Sequence, residues 1–354
     1  MVEENLKEAM LWESLSDKRV KCNLCYRRCI IPDGATGACI VRMNRDGKLY
    51  SRVYGKLTSA NVDPIEKKPL FHVYPGGEVM SISTVGCNFR CQFCCNWVLS
   101  QETRIYGRTT TPEEVVRWTL EYGAEGISYT YNEPTVFFEF AYDTAKLAKK
   151  HNLINTFVTN GYMTPEAIDM IHKYLDAATV DFKGNGNSDF YRKFMGVKDP
   201  TLIFESLKAM KERKIFIEIT DLVVPNYGDD IEDLRKLARW VVENLGPETP
   251  FHVIRFHPDY KMLDVPPTPI KTLEEHAKVA MEEGLKYVYV GNVPGHPLEN
   301  TRCPECGTEV IKRFGFEIVE MNLTNDNRCS KCGSKINILG KPVRRKKRSW
   351  LSIF

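Results

Sequence analysis

Between about residue 79 and residue 293 the chain repeats one pattern. A short apolar run rich in β-branched residues is followed by a longer stretch with apolar positions three and four apart. The first suits a strand buried on both faces and the second an amphipathic helix, so together they predict βα units around a parallel sheet. The predicted strands are 79–85, 126–131, 154–159, 177–182, 216–224, 251–256 and 287–290. Helix starts are marked chemically. Thr111-Pro112-Glu113-Glu114 and Thr272-Leu273-Glu274-Glu275 read as capping boxes, while Thr164-Pro165 and Asp199-Pro200 supply a cap followed by Pro. Six or seven such units make an α/β fold, a partial or complete TIM-like (β/α) barrel. Its chemistry belongs at the carboxyl ends of the strands.

The chain has 354 residues, enough for one barrel-sized core with small satellites. The expected divisions are a Cys-rich region at 1–60, the barrel at 61–298, a ribbon at 299–340 and a basic tail at 341–354. With 43% hydrophobic and 27% charged residues the composition is that of an ordinary globular protein. A net charge of +3 argues against general affinity for nucleic acid. The charged start Met1-Val2-Glu3-Glu4 lacks an apolar signal core, and no apolar run approaches the about 18 residues of a membrane span. The expectation is a cytoplasmic protein.

Twelve cysteines fall into three clusters with metal-ligand spacing rather than into a disulfide framework, which points to a reducing compartment. The first cluster is Cys22, Cys25, Cys29 and Cys39. Four thiols this close can satisfy a tetrahedral ion and lend folding energy to a region too small for its own core. Zinc is the first expectation, and a fully ligated second iron-sulfur cluster the rival, since sulfur-only ligation suits both. The second cluster, Cys87, Cys91 and Cys94, follows the first predicted strand with C-x3-C-x2-C spacing. Three thiols can ligate three irons of a 4Fe-4S cube and leave one iron open, whereas they close a zinc tetrahedron badly. Adjacent Cys95 is a poor fourth ligand because its side chain diverges from that of Cys94. The third cluster, Cys303, Cys306, Cys329 and Cys332, forms two C-x2-C-G knuckles and reads as a zinc ribbon. Ribbons serve as nucleic-acid readers, protein docks or clips. The tail joins Arg344-Arg345-Lys346-Lys347-Arg348 to Ser349-Trp350-Leu351-Ser352-Ile353-Phe354. A solvated tail is expected, with membrane-surface or nucleic-acid contact left open.

The strand ends supply further candidates. Glu133 follows the second strand as Asn132-Glu133-Pro134, where it can pair with a ligand ammonium or merely sit at a helix N-terminus. Asn160, after the third, can bind a ligand or make a turn. Asp181 and Lys183 lie on one face of the fourth strand, and burying both requires that they pair with each other or with a ligand. His257 ends the sixth strand, open to a ligand or substrate role or to a plain core role.

Taken together, Cys22-Asn23-Leu24-Cys25, Gly37-Ala38-Cys39, Asp63-Pro64-Ile65-Glu66-Lys67-Lys68-Pro69-Leu70, the cysteine loop, Thr130-Tyr131-Asn132-Glu133-Pro134-Thr135, Thr159-Asn160-Gly161-Tyr162 and Arg255-Phe256-His257-Pro258 resemble one family. It is the radical S-adenosylmethionine (SAM) component of the AmmeMemoRadiSam system, itself similar to pyruvate formate-lyase activating enzymes. The resemblance implies a [4Fe-4S] cluster on Cys87, Cys91 and Cys94, with SAM on its open iron. It also implies Phe93 packed beside the cofactor, and SAM contacts around Asn132, Glu133, Asp181, Lys183 and His257. The implied activity is reductive cleavage of SAM and hydrogen abstraction from an unnamed substrate. The implied partners are a reductant such as ferredoxin or flavodoxin, and Memo-like and AMMECR-like proteins. Cys95 departs from the family, which usually has Gln there. A glycyl-radical activase is the alternative within this class; a zinc-dependent nucleic-acid-binding module is the alternative outside it.

Overall fold

The computed structural model describes residues 6–344 and 351–354. Its centre is a nine-stranded sheet. The strands are β1 (Ser59–Pro64), β2 (Glu78–Ser83), β3 (Gly126–Tyr129), β4 (Ile154–Thr159), β5 (Ala177–Lys183), β6 (Phe216–Val223), β7 (Phe251–Arg255), β8 (Val288–Gly291) and β9 (Leu351–Ser352). They lie in the order β8-β7-β6-β5-β4-β3-β2-β1-β9, with β2 to β8 parallel and β1 and β9 antiparallel to their neighbours. Because β8 and β9 stand at opposite edges, the sheet stays open: the barrel is partial.

Helices α1 (Pro112–Glu121), α2 (Phe138–Lys150), α3 (Pro165–Ile171), α4 (Leu202–Glu212), α5 (Ile231–Asn244) and α6 (Ile270–Glu282) return the chain between the parallel strands. In α5 the buried residues are Leu234, Leu237, Ala238 and Val241, the spacing of one helical stripe. That stripe joins the core built on Ile82, Ile127, Phe157, Val180, Ile219 and Val253.

Two of the four predicted caps hold. Thr111 and Glu114 exchange side-chain-to-backbone bonds at 3.2 and 2.9 Å as a capping box, and Thr164 caps α3. Thr272 does not start a helix, because α6 already begins at Ile270 behind an extended Pro269. Asp199 instead accepts the Thr201 backbone N–H at 3.0 Å, one turn ahead of α4.

The Cys-rich region packs against the mouth of the barrel, at the carboxyl ends of the strands. Tyr26 N–H donates to Tyr162 O (3.0 Å), Thr164 Oγ1 to Asn23 O (2.8 Å), and Arg27 Nε to Asn88 O (2.9 Å). The ribbon, built on the strands Thr301–Arg302, Glu309–Phe314 and Glu317–Met321, docks at the opposite end. There its buried Arg313 stacks 4.1 Å over Phe71 and donates to Phe71 O (3.0 Å), ahead of the start of β2.

The basic block lies outside the described residues apart from Arg344. The chain end is not a free tail: Leu351 pairs with Val62 and Ser352 with Asn61, while Phe354 packs edge-on to Trp118 at 5.9 Å.

Candidate active site

β2 ends at Ser83, and the chain turns through Thr84, Val85 and Gly86 into the cysteine loop. Gly86 adopts φ +90°, and a Cβ there would lie 2.6 Å from Val41 Cγ1 and 2.8 Å from Cys39 O. Only glycine fits so close a passage against the Cys-rich region. Asn132, after β3, clamps the turn. Its Oδ1 accepts Thr84 N–H (3.1 Å), and its Nδ2 donates to Thr84 Oγ1 (3.1 Å) and Gly86 O (2.9 Å). The far side of the loop is pinned by Arg90 N–H to Met195 O (3.0 Å), Gln92 N–H to Phe194 O (2.9 Å) and Lys261 N–H to Gln92 O (2.8 Å). Phe93 is buried against Phe190, ring centres 5.6 Å apart.

So held, Cys87, Cys91 and Cys94 face one another at the barrel mouth. Burial raises all three thiols above the ordinary thiol range; Cys91 and Cys94 add to the rise at Cys87, and Lys183 opposes it at Cys91 and Cys94. Among the described residues, only the ribbon cysteines form a group of three or more possible metal ligands whose donor atoms all lie within 4.8 Å of one another. Three thiols suit three corners of a cube, whereas a closed zinc tetrahedron asks for four ligands.

The trio sits within a matched model for the Radical SAM superfamily, which covers residues 81–241. The chain carries a radical SAM domain. It is 49% identical over 338 residues to the uncharacterised Methanocaldococcus jannaschii protein MJ0808, covering 94% of this chain and 100% of that one. It is also similar to a pyruvate formate-lyase-activating enzyme of Clostridium pasteurianum, at 24% identity over 57% of this chain and 87% of the relative. Among solved structures, Streptococcus suis SuiB bound to S-adenosylmethionine superposes with a TM-score of 0.47 at 16% identity, over 68% of this chain and 56% of that one. Radical SAM enzymes carry a [4Fe-4S] cluster and SAM and draw on a reductant.

Around the trio of this radical SAM chain stand the charged candidates. Glu133 is buried and accepts four hydrogen bonds: Thr135 N–H (3.1 Å), Thr135 Oγ1 (2.5 Å) and Thr159 Oγ1 (2.7 Å) on Oε1, and Asn160 N–H (2.8 Å) on Oε2. It caps the short helix Pro134–Phe137, as its position before Pro suggests. Burial raises its pKa, while the bonds from Asn160, Thr135 and Thr159 work the other way. Among the described residues no cation pairs with it. A carboxylate desolvated among neutral donors is poised to receive an ammonium.

Asp181 and Lys183 pair with each other at 3.1 Å, and Thr220, opposite Asp181 across β5 and β6, donates its hydroxyl to Asp181. Burial disfavours the Lys183 ammonium, but Asp181 and the thiols of Cys91 and Cys95 outweigh it and raise the pKa. Both side chains remain about a quarter exposed, 22% for Lys183 and 26% for Asp181, so they can turn toward a ligand at the mouth.

Two candidates stand differently from expectation. Every hydrogen bond of the Asn132 amide goes to the cysteine loop, which makes it a positioning residue for the trio. His257 is exposed and bonds only to its own neighbour, Nδ1 to Pro258 O at 2.9 Å. Its loop does reach the trio, through Lys261 and through Tyr260, which stacks on Trp97 at 5.2 Å.

Asn160, the strand-end candidate, and two residues outside the expected set, Asn88 and Asp221, also build the site. Asn160 Nδ2 donates to Asn88 Oδ1 at 2.7 Å and lies 4.0 Å from Cys87 Sγ. Asn88 is buried, and its Nδ2 has no partner. Asp221, behind the β5 exit, accepts Asn185 N–H at 3.0 Å and is pushed by burial to about 7, against the pull of Asn185 and Lys183. Adjacency to Cys87 was the one sequence signal for Asn88.

Proposed function

We propose that Cys87, Cys91 and Cys94 hold a [4Fe-4S] cluster with one iron left for SAM, and that this chain abstracts hydrogen from a substrate by way of cleaved SAM. When bound, the cluster supplies one electron that splits SAM into methionine and a 5′-deoxyadenosyl radical. The protein does the rest. Glu133 receives the SAM ammonium, and Lys183, swinging from Asp181, meets the carboxylate, leaving Asp181 and Thr220 for ribose hydroxyls. Phe93 seals the cofactor side against water, and Asn132 keeps the loop in register.

The observation that carries this reading is the cysteine trio at the strand ends beside a buried carboxylate that, among the described residues, pairs with no cation. The test is anaerobic reconstitution with iron and sulfide, followed by SAM and a strong reductant. The expected product is 5′-deoxyadenosine, lost in Cys91→Ala. Equal amounts from both proteins would sink the reading.

The relatives named pyruvate formate-lyase-activating enzymes favour a second reading, an activase that places a glycyl radical on a partner enzyme. A glycyl-radical signal on a candidate partner separates the two. The motif resemblance also suggests Memo-like and AMMECR-like partners, testable by co-purification, and a ferredoxin or flavodoxin as the reductant.

For the ribbon we propose zinc. Cys303 and Cys332 lie 3.6 Å apart and Cys306 and Cys329 3.7 Å, the edges of a small tetrahedron. Hydrogen bonding with Thr308 lowers the Cys306 pKa and favours the thiolate that a metal needs. Metal analysis should find zinc there, lost in Cys329→Ser without loss of 5′-deoxyadenosine, since the ribbon docks away from the mouth.

A further inference from the structure

We propose that Cys22, Cys25, Cys29 and Cys39 hold a second [4Fe-4S] cluster rather than a zinc ion. All four line one small cavity. The ribbon supplies an internal standard. Its four sulfurs lie within 4.8 Å of one another, as a tetrahedron with metal-sulfur bonds of about 2.3 Å demands. The ribbon thiols close on one another, whereas those of Cys22, Cys25, Cys29 and Cys39 stand around a cavity. A cubane seats each thiolate on its own iron, which sets the sulfurs roughly 6 Å apart. The space between the four thiols suits a cube, where a single ion would draw them together.

The other groups lining the cavity suit the same occupant. Arg42 is buried, and its Nη1 donates to Cys22 Sγ at 3.2 Å while its Nε has no partner. The unpartnered Nδ2 belongs to Asn88, which lines this same cavity. N–H donors and a cation beside the sulfurs stabilise a cluster that four thiolates make negative. Leu24, Ile31 and Val136 supply an apolar wall.

With four protein ligands no iron stays open, so the chemistry left to this cluster is one-electron exchange. A low-potential protein donor of the ferredoxin or flavodoxin class loses one electron and the cluster gains it, and no bond is made or broken. The location suits an entry point for electrons, because Asn88 lines this cavity and also touches Cys87, and Gly86 packs on Cys39 O. Occupancy stands apart from the radical reading; the direction of electron flow rests on it.

The experiment reconstitutes wild type, a Cys87→Ala/Cys91→Ala/Cys94→Ala variant and a Cys25→Ala/Cys29→Ala variant anaerobically. It reads iron, sulfide and zinc per chain, and the electron paramagnetic resonance of the dithionite-reduced state. The expected wild type holds about eight irons and about eight sulfides, and each variant about four of each. The signal that remains in the triple variant should ignore SAM, and the one in the double variant should respond to it. A triple variant without iron and sulfide overturns the proposal, as does one with a second zinc in their place. If the triple variant fails to fold, wild type decides: about four irons with about two zincs overturns the proposal, and about eight irons supports it. A wild type with about four irons, all kept in the triple variant, leaves the second cluster standing and defeats the radical reading instead.

Discussion

Glu133 accepts the backbone N–H of Asn160 on Oε2 at 2.8 Å, and so joins the end of β3 to the end of β4 across the barrel mouth. The bond fixes a buried carboxylate whose remaining partners are also donors. Glu133→Gln places an amide among groups that all offer hydrogens and removes the charge meant for an ammonium. SAM affinity should fall about 10- to 100-fold, the worth of one charge-assisted contact. Anaerobic calorimetry of the loaded variant reads the affinity, and iron content should stay at the wild-type level.

Asn132 separates loop positioning from ligand binding. Asn132→Ala removes three hydrogen bonds to Thr84 and Gly86 and weakens the hold on the loop by about 1–3 kcal/mol. The variant should assemble less cluster on the trio, seen as a lower iron-to-protein ratio. SAM affinity per loaded chain should remain within about twofold of wild type. A normal iron ratio with weakened SAM binding would return Asn132 to the ligand set.

Asp221 predicts a pH effect. Burial raises its pKa from 3.8 to about 7, with Lys183 and the Asn185 N–H working against the rise and Tyr191 facing it. Between those two values the unfolded chain has released this proton and the folded chain still holds it. The contribution of Asp221 to stability is thus full below its unfolded pKa and is lost as pH rises through the folded value. Asp221→Asn keeps an acceptor for Asn185 without the titration. Its stability relative to wild type should improve by about 1–3 kcal/mol between about pH 4 and about pH 7.5, measured by urea melts.

How much of this could be read from the sequence depended on what kind of signal each feature leaves. The strand 154–159 was legible to the residue because Ile154, Thr156, Val158 and Thr159 are β-branched and Phe157 is aromatic, with the Asn160-Gly161 turn directly after them. The ribbon was legible because ligand spacing is local. The Thr272 box misled because T-x-x-E also occurs inside helices, and only Pro269 shows where α6 begins. The seating of the Cys-rich region on the mouth was not legible. It rests on Arg27 meeting Asn88 and Arg90 donating to Ala38 O, contacts between distant positions that leave no periodic trace. The role of Asn88 was hidden for the same reason, since an amide next to a cysteine has no pattern of its own. The pairing of Leu351 and Ser352 with β1 is too short to announce a strand.

Arg42 and Glu139 join the second cysteine cavity to α2. They form an ion pair with both side chains almost fully buried, 2% and 0% exposed, and both also bond the Met10 backbone at 2.8 Å. Arg42→Met leaves Glu139 charged and unpaired in the core, which should cost about 3–5 kcal/mol in a urea melt. Glu139→Gln added to that background still accepts Met10 N–H and has no charge to desolvate, so most of the loss should return. Under the two-cluster assignment the double variant has a second consequence. It has lost the cation and the N–H donor at Cys22 Sγ, so the potential of the SAM-insensitive signal should move to more negative values. With zinc in that cavity the melts would behave identically and no second redox signal would exist to move, so the potential, not the stability, distinguishes the occupants.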